Sequence, residues 1–349
     1  MNKQRTIRIF TLIATGLLGL AGCGGSGGES TGTLNIGLTD GPIDSAEAVV
    51  IQFTGLELKS AGGPAEVFEI DPDACDSGDS AGSCSIDLLT LQGTEYRTLF
   101  GQNVPAGDYQ WVRLLVNAER TVHDSYIKLD DGQQCSLWIP SGAETGLKIV
   151  SGMTVTANGV SNYMLDFEVR TSITAPPGLP SGTEECLQDY VLKPAIRIVD
   201  ETESGSIAGT VNAVLLTDVS CRDDAEPLGV VDNLDVYVFE NFDGSASTDD
   251  YDGEGDPITS AIVEWNGADY TYEVGYLLAG DYKLGLTCTA DVDVMPGEES
   301  LIADNFDCDP VANDEACKET TPPFGFIAEI DVTVVADAIR DGNFPAPAP

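Results

Sequence analysis

Apolar residues in this chain fall at alternate positions or in short runs closed by Gly, Pro, Asp and Asn. Helices would space them by three and four; this is the strand pattern. "TLNIGLTD" (33–40) sets it, with Leu34, Ile36 and Leu38 in one phase. It returns in "AVVIQFTGLELK" (48–59), "AEVFEI" (65–70), "YQWVRLLVNA" (109–118), "SYIKL" (125–129) and "CSLWIP" (135–140). "GLKIV" (146–150), "NYMLDFEV" (162–169) and "YVLKPAIRIVD" (190–200) close the first half. Only "IDLLTLQGTEYRTLF" (86–100) reads as a short helix. After a polar joint at 201–205 come "SIAGTVNAV" (206–214), "LDVYVFE" (234–240) and "TSAIVEW" (259–265). "YTYEVGYL" (270–277), "YKLGLTC" (282–288) and "FIAEIDVTVVA" (326–336) follow. About fifteen short strands with turn residues between them predict an all-β chain of two antiparallel β-sandwiches.

An internal echo supports two related domains. "VPAGDYQWVRLLV" (104–116) and "LLAGDYKLGLTC" (277–288) share Ala-Gly-Asp-Tyr leading into a strand. The motif predicts a tight turn with Gly at positive φ. The Tyr then caps the sandwich edge with its hydroxyl on backbone.

The N-terminus is of another kind. Lys3, Arg5 and Arg8 precede "IFTLIATGLLGL" (9–20), too short to span a bilayer permanently but suited to a cleaved secretory signal. The run ends in Leu20-Ala21-Gly22-Cys23, which resembles the bacterial lipobox. The resemblance implies acylation of Cys23 and cleavage before it, with residues 1–22 as lipoprotein signal peptide. Two or more acyl chains anchor durably where one does not. By likeness to lipoprotein sorting, Gly24 after the cysteine favours the outer membrane. Residues 23–32 then form a Gly-rich flexible tether. Gly24-Gly25-Ser26-Gly27-Gly28 spells a nucleophile elbow, but a tether lacks the strand and helix that the motif needs.

Eight cysteines remain, at 75, 84, 135, 186, 221, 288, 308 and 317. An even count in an exported chain reads as disulfides. Proximity pairs Cys75 with Cys84 and Cys308 with Cys317, each across a short Asp-rich loop. Cys135–Cys186 and Cys221–Cys288 then keep every bridge inside one domain. A zinc-type centre is disfavoured, since the chain has no CxxC and one histidine.

The formal charge is −42; removing the leader takes three basic residues and no acid, leaving −45. From 205 to 349 there are 31 acidic residues against Arg222, Lys283, Lys318 and Arg340. Such a field excludes nucleic acid and attracts cations. A saline habitat would select the same composition without any specific site.

Candidate chemistry is sparse. His123 is the only histidine and sits in a polar loop, "NAERTVHDSY", so no two-histidine centre exists and a triad has one place to form. Asp250, Asp252, Glu254 and Asp256, with Gly255, reproduce the first positions of a calcium loop in "DDYDGEGDP" (249–257), although residue 261 is Ala where the closing Glu belongs. The alternative is a solvated hairpin tip. A carbohydrate-active hydrolase would need two carboxylates facing across a cleft, which spacing alone does not show. Adhesion would gather Trp111, Trp138, Trp265 or Tyr251 on one face, though their strand positions favour the core.

The segments "LNIGLTDGPIDSAEAVVIQFTGLELK", "IDLLTLQG", "VPAGDYQWVRLLV", "TGLKIVSG", "LDFEVRTSI" and "YVLKPAIRIVD" resemble, in that order, a bacterial lipoprotein family known as domain of unknown function 4382. It implies architecture and location over about residues 33–200, and no activity. Residues 206–340, with "GSIAGTV", "VYVFE" and "YTYEVGYLLAGDYKL", resemble a transthyretin-like or carboxypeptidase regulatory-like sandwich, an accessory non-catalytic module. Residues 341–349 read as a disordered tail. The expectation is a lipid-anchored envelope protein, periplasmic or surface-exposed, that binds a glycan or protein and no nucleic acid, with Ca²⁺ the one candidate cofactor. The alternative is a hydrolase using paired carboxylates.

Overall fold

The computed structural model describes residues 30–43, 46–76, 82–129, 132–140, 146–150, 152–174, 186, 189–193, 195–221, 231, 234–241, 256–290 and 325–347. Residues 23–29 of the tether, Cys23 among them, and Cys308, Cys317, Tyr251, Asp250, Asp252 and Glu254 lie outside them.

The first domain opens with β1 (Thr31–Gly41), β2 (Ala46–Ser60), β3 (Ala65–Phe68), β4 (Cys84–Asp87) and β5 (Arg97–Pro105). Next come β6 (Gly107–Asn117), β7 (Tyr126–Leu129), β8 (Gln134–Trp138), β9 (Leu147–Ile149) and β10 (Met153–Val155). β11 (Val160–Glu168) runs into the one-turn helix α1 (Val169–Ser172), and β12 (Ile173–Thr174), β13 (Tyr190–Leu192) and β14 (Ile196–Asp200) finish it. One sheet has the order β14-β11-β1-β5, and the other is built on β10-β6-β2-β7-β8-β13-β12. β1 and β11 pair in parallel, an exception in a mostly antiparallel sandwich. Leu34, Ile36 and Leu38 of β1 pack with Ile51, Phe53, Val112, Leu114, Leu165 and Phe167 between the sheets.

The second domain contains β15 (Ser204–Val211), β16 (Asp235–Glu240), β17 (Thr259–Ile262), β18 (Glu264–Trp265), β19 (Tyr270–Leu278), β20 (Gly280–Thr287), β21 (Phe326–Val334) and β22 (Ile339–Asp341). Its sheets are β18-β19-β15-β22 and β17-β16-β20-β21. Ile207, Val236, Val238, Val274, Leu284 and Leu286 fill the core between them. The two-sandwich, all-β expectation holds.

Four expectations are corrected. Residues 86–100 are not helical. Asp87 caps a 3₁₀ turn over Leu88–Thr90 by accepting from the Leu89 N–H, and Gly93 at φ +71° turns the chain into β5. Leu88, Leu91, Leu99 and Phe100 are buried from that strand–turn–strand path, so their spacing imitates a helix. The joint at 201–205 is a 3₁₀ turn, Glu201–Glu203, leading straight into β15. The tail is folded as far as described: β22 pairs in parallel with β15. Phe344, 1% exposed, bridges to Val211, because its ring fills the second core. The tether also ends earlier than expected, since Thr31 already begins β1.

Disulfides join Cys75 to Cys84, Cys135 to Cys186 and Cys221 to Cys288, with Cα–Cα separations of 5.0, 4.8 and 4.9 Å. These separations fall within the range usual for disulfides.

Candidate functional site

The Ala-Gly-Asp-Tyr echo builds two corners. Tyr109 donates its hydroxyl to the Pro105 carbonyl at 2.9 Å, and Tyr282 to the Leu278 carbonyl at 2.8 Å, both four residues back. Gly107 has φ +130° as the turn requires, whereas Gly280 is not among the positive-φ glycines. The second corner lies next to the contact between domains.

That contact is made by a bulge. In β19, Tyr276 has φ +53°, a costly conformation for a bulky residue outside a special setting. Register shifts there between β15 and β19. The Gly275 N–H consequently reaches out to donate to the Gly93 carbonyl at 3.1 Å, and the Tyr276 hydroxyl donates to the Thr94 carbonyl at 3.1 Å. The Tyr276 ring meets Tyr96 edge-on, centroids 6.5 Å apart.

Behind this clasp lies a charged seam. Asp166 and Glu168 project from β11 opposite to the core-facing Leu165 and Phe167, and both are buried. Asp40, near the end of β1, is 4% exposed. Arg170 of α1 is 1% exposed and lies 3.6 Å from the fully buried Asp235 of β16, with its guanidinium 5.6 Å from the Tyr237 ring centre. Arg197 of β14 pairs with Asp166. Glu168 approaches Thr259 of β17 across Gly41, where any Cβ would fall 2.7 Å from the Glu168 Oε2.

Burial dominates the electrostatics. It pushes the Asp40 carboxyl well above its usual range, with Glu168 and Asp166 adding to the push. It also raises Glu168 to about 8, helped by Asp166 and opposed by Arg170 and Arg197. The Val169 and Gly41 amides lie beside Asp40 and pull the other way, but neither forms a well-directed hydrogen bond, and both Asp40 oxygens stay unpartnered. Asp40, Asp166, Thr39, Thr259, Ser260 and Tyr276 help to wall a cavity of about 10 Å³, the size of one water or one ion.

Beside the seam an open groove of about 680 Å³ runs between the domains. The Gln92–Glu95 turn forms one wall; Thr210, Glu264, Thr271, Glu273, Asp341 and Asn343 line the other. Four carboxylates and several amide and hydroxyl groups thus face one solvent-open space.

Other sequence candidates lie elsewhere. Asp256 is half-buried just before β17. His123 is exposed in a turn. Trp111 is half-buried under Arg113 and Lys148, with 4.8 and 4.7 Å to the ring centre, and Trp138 under Arg120 at 3.5 Å. Trp265 is 55% exposed and packs on Tyr270. These three tryptophans are neither core nor gathered on one face: two flank opposite parts of the first domain's large sheet, and the third is on the other domain. Among the described residues, no three His, Cys, Asp or Glu side chains are arranged to hold a metal by themselves. No described helix is long and apolar enough to cross a membrane.

Residues 31–194 match a family described as a domain of unknown function, DUF4382. No curated protein matches the chain. Among solved structures the chain is similar to a leucine-rich repeat protein from Bacteroides thetaiotaomicron, at 11% identity and TM-score 0.20, covering 90% of this chain and 26% of that one. It is similar to the TIE protein of Bacillus anthracis at 9% identity and TM-score 0.17, covering 90% and 34%. It is also similar to the minor pilin of Streptococcus agalactiae at 12% identity and TM-score 0.18, covering 90% and 97%. The chain thus spans about a quarter to a third of the length of the first two.

Proposed function

We propose that this protein is a lipid-anchored, non-catalytic binding module of the bacterial cell envelope, outer membrane favoured, held at Cys23 with the interdomain groove as its ligand face. In this reading the second sandwich is the carboxypeptidase regulatory-like accessory unit, and the 249–257 loop with Asp250, Asp252, Glu254 and Asp256 takes up calcium.

One observation carries the non-catalytic reading: the unusual acids and the accessible space are in different places. Asp40 and Glu168 are buried in the seam, and the cavity that Asp40 opens on has room for one small ion or water, so a sugar or peptide cannot reach them. The ligand-sized space is the groove, wide open to solvent, where developing charge gains little from the protein's own dipoles. Its acidic lining repels polyanions and suits a neutral glycan or a basic protein segment.

The test uses the exported Cys23→Ser protein on glycan and peptide arrays. Binding that Thr271→Trp abolishes by filling the groove supports the reading. Turnover of an array sugar, or binding indifferent to Thr271→Trp, sinks it.

A further inference from the structure

The seam holds more carboxyl groups than its own cations can answer, and without a further cation burial favours the protonated forms of Asp40 and Glu168. Asp40, Asp166, Glu168 and Asp235 face Arg170 and Arg197, an excess of two carboxylates. An uncompensated charge out of water is among the most expensive features a fold can keep. Both oxygens of Asp40 and the Ser260 hydroxyl are buried, lack a hydrogen-bond partner and belong to residues walling the same one-ion cavity. Asp166 supplies a second carboxylate there, one of whose oxygens holds Arg197. Thr259 and Thr39 add hydroxyl oxygens; the Thr39 hydroxyl shares its one proton between the Leu91 and Glu95 carbonyls and keeps its lone pairs for another partner.

We propose that this cavity is a calcium-type site, in which a hard divalent cation lies between Asp40, Asp166, Thr259 and Ser260 and clamps the second sandwich onto the first. The donors are all oxygen, which selects calcium-like ions over zinc or copper. Magnesium keeps several of its waters, and the cavity has no room for them. Two carboxylates completed by hydroxyls make the shell, with Glu168 one layer out as added charge. Asp40, Asp166 and Thr39 come from the first domain and Thr259 and Ser260 from the second, so the ion is bound only when both are docked. Asp256, the described acid of the 249–257 loop, is not among the residues that wall this cavity, and the ion requires neither the anchor nor a groove ligand.

Full-length protein in detergent is refolded with chelator, then melted with calcium, with magnesium, or with choline chloride at matched ionic strength. Calcium at a hundred times its Kd should raise Tm by roughly 4 °C over the matched salt. Asp252→Asn removes any contribution of the 249–257 loop, and in that background Asp40→Asn should remove the rise that remains. Should Asp40→Asn fail to fold, Ser260→Ala deletes one donor without touching charge and should weaken the calcium midpoint about tenfold, the weight of one second-sphere or ligand contact. Terbium luminescence gives an independent readout, because Tyr276 walls the cavity. Tyr276→Phe should cut the sensitised signal and Tyr251→Phe should not. The proposal is overturned by a seam neutralised with protons alone, which shows no calcium-specific shift. It is equally overturned by a shift that survives Asp40→Asn in the Asp252→Asn background, or by a midpoint unchanged there in Ser260→Ala.

Discussion

Tyr282 shows how one side chain ties local sequence to stability. Its ring is buried in the second core and its hydroxyl closes the corner on Leu278. Burial raises the phenol to about 12, in spite of the nearby Arg197. An acid whose folded pKa lies above its unfolded value near 10 contributes fully below that unfolded value. That contribution is lost as pH climbs through the folded one. Tyr272 and Tyr276 are shifted the same way by burial. Alkaline titration followed by tyrosinate absorbance should therefore show these residues ionising only as the fold gives way, between about pH 10 and 12. Tyr282→Phe should cost about 1 kcal/mol at neutral pH through its lost hydrogen bond, yet lose less stability than wild type across that alkaline window. Equal losses in both proteins would refute the assignment. The corner was legible in advance because it is local: Ala-Gly-Asp-Tyr sets turn, strand and hydroxyl within six residues. The seam was not. Asp40, Asp166, Glu168, Arg170, Arg197 and Asp235 come from five elements of two domains, and in so acidic a chain no single carboxylate stands out.

Elements were legible where a strand's two faces differ. β6 and most of β2 and β19 alternate, as does the first half of β1, and their pattern was enough. It misled where the chain turned inside an apolar stretch. Ile86, Leu88, Leu91 and Leu99 serve a strand, a 3₁₀ turn and another strand, and the deciding feature was Gly93 and its left-handed φ. It also failed at α1, whose single turn exists to carry Arg170 beneath the second domain. Arg170 and Asp235 lie wholly out of water, so their mutual attraction must offset two desolvations. Removing one partner takes the counter-ion 3.6 Å away from the other. Arg170→Met should destabilise the protein by about 3–5 kcal/mol in denaturant titrations. The double change Arg170→Met with Asp235→Leu keeps the volume apolar and the charge balance intact, and should recover most of that loss. If the double variant is as unstable as the single one, the pair's role lies in geometry that a hydrophobic replacement cannot supply.

The whole molecule combines bridges within domains and a polar lock between them. In the chain-entropy account, the 67-residue Cys221–Cys288 loop contributes about 4 kcal/mol and the nine-residue Cys75–Cys84 loop about 2.6. Replacing each pair by alanine should reproduce that order in melting temperature. Neither bridge crosses the domain boundary, so coupling between sandwiches falls to the Gly93–Gly275 hydrogen bond, the Tyr276 hook and the buried seam. These groups are satisfied only when the domains are docked, since undocking exposes Arg170 without Asp235 and ends the Thr94–Tyr276 bond. The penalty for partial opening should make the two sandwiches unfold together, in one calorimetric transition whose enthalpy matches its van't Hoff value. Gly275→Val attacks this directly. A Cβ there would fall 2.5 Å from the Gly93 carbonyl oxygen, closer than any relaxed contact, and the backbone on both sides has nowhere to retreat without parting the domains. The variant should keep both cores and all its disulfides, yet melt in two steps, the second sandwich separating from the first. A wild type that already melts in two steps, or a Gly275→Val protein that still melts in one, would mean that the sandwiches are joined by something other than this seam.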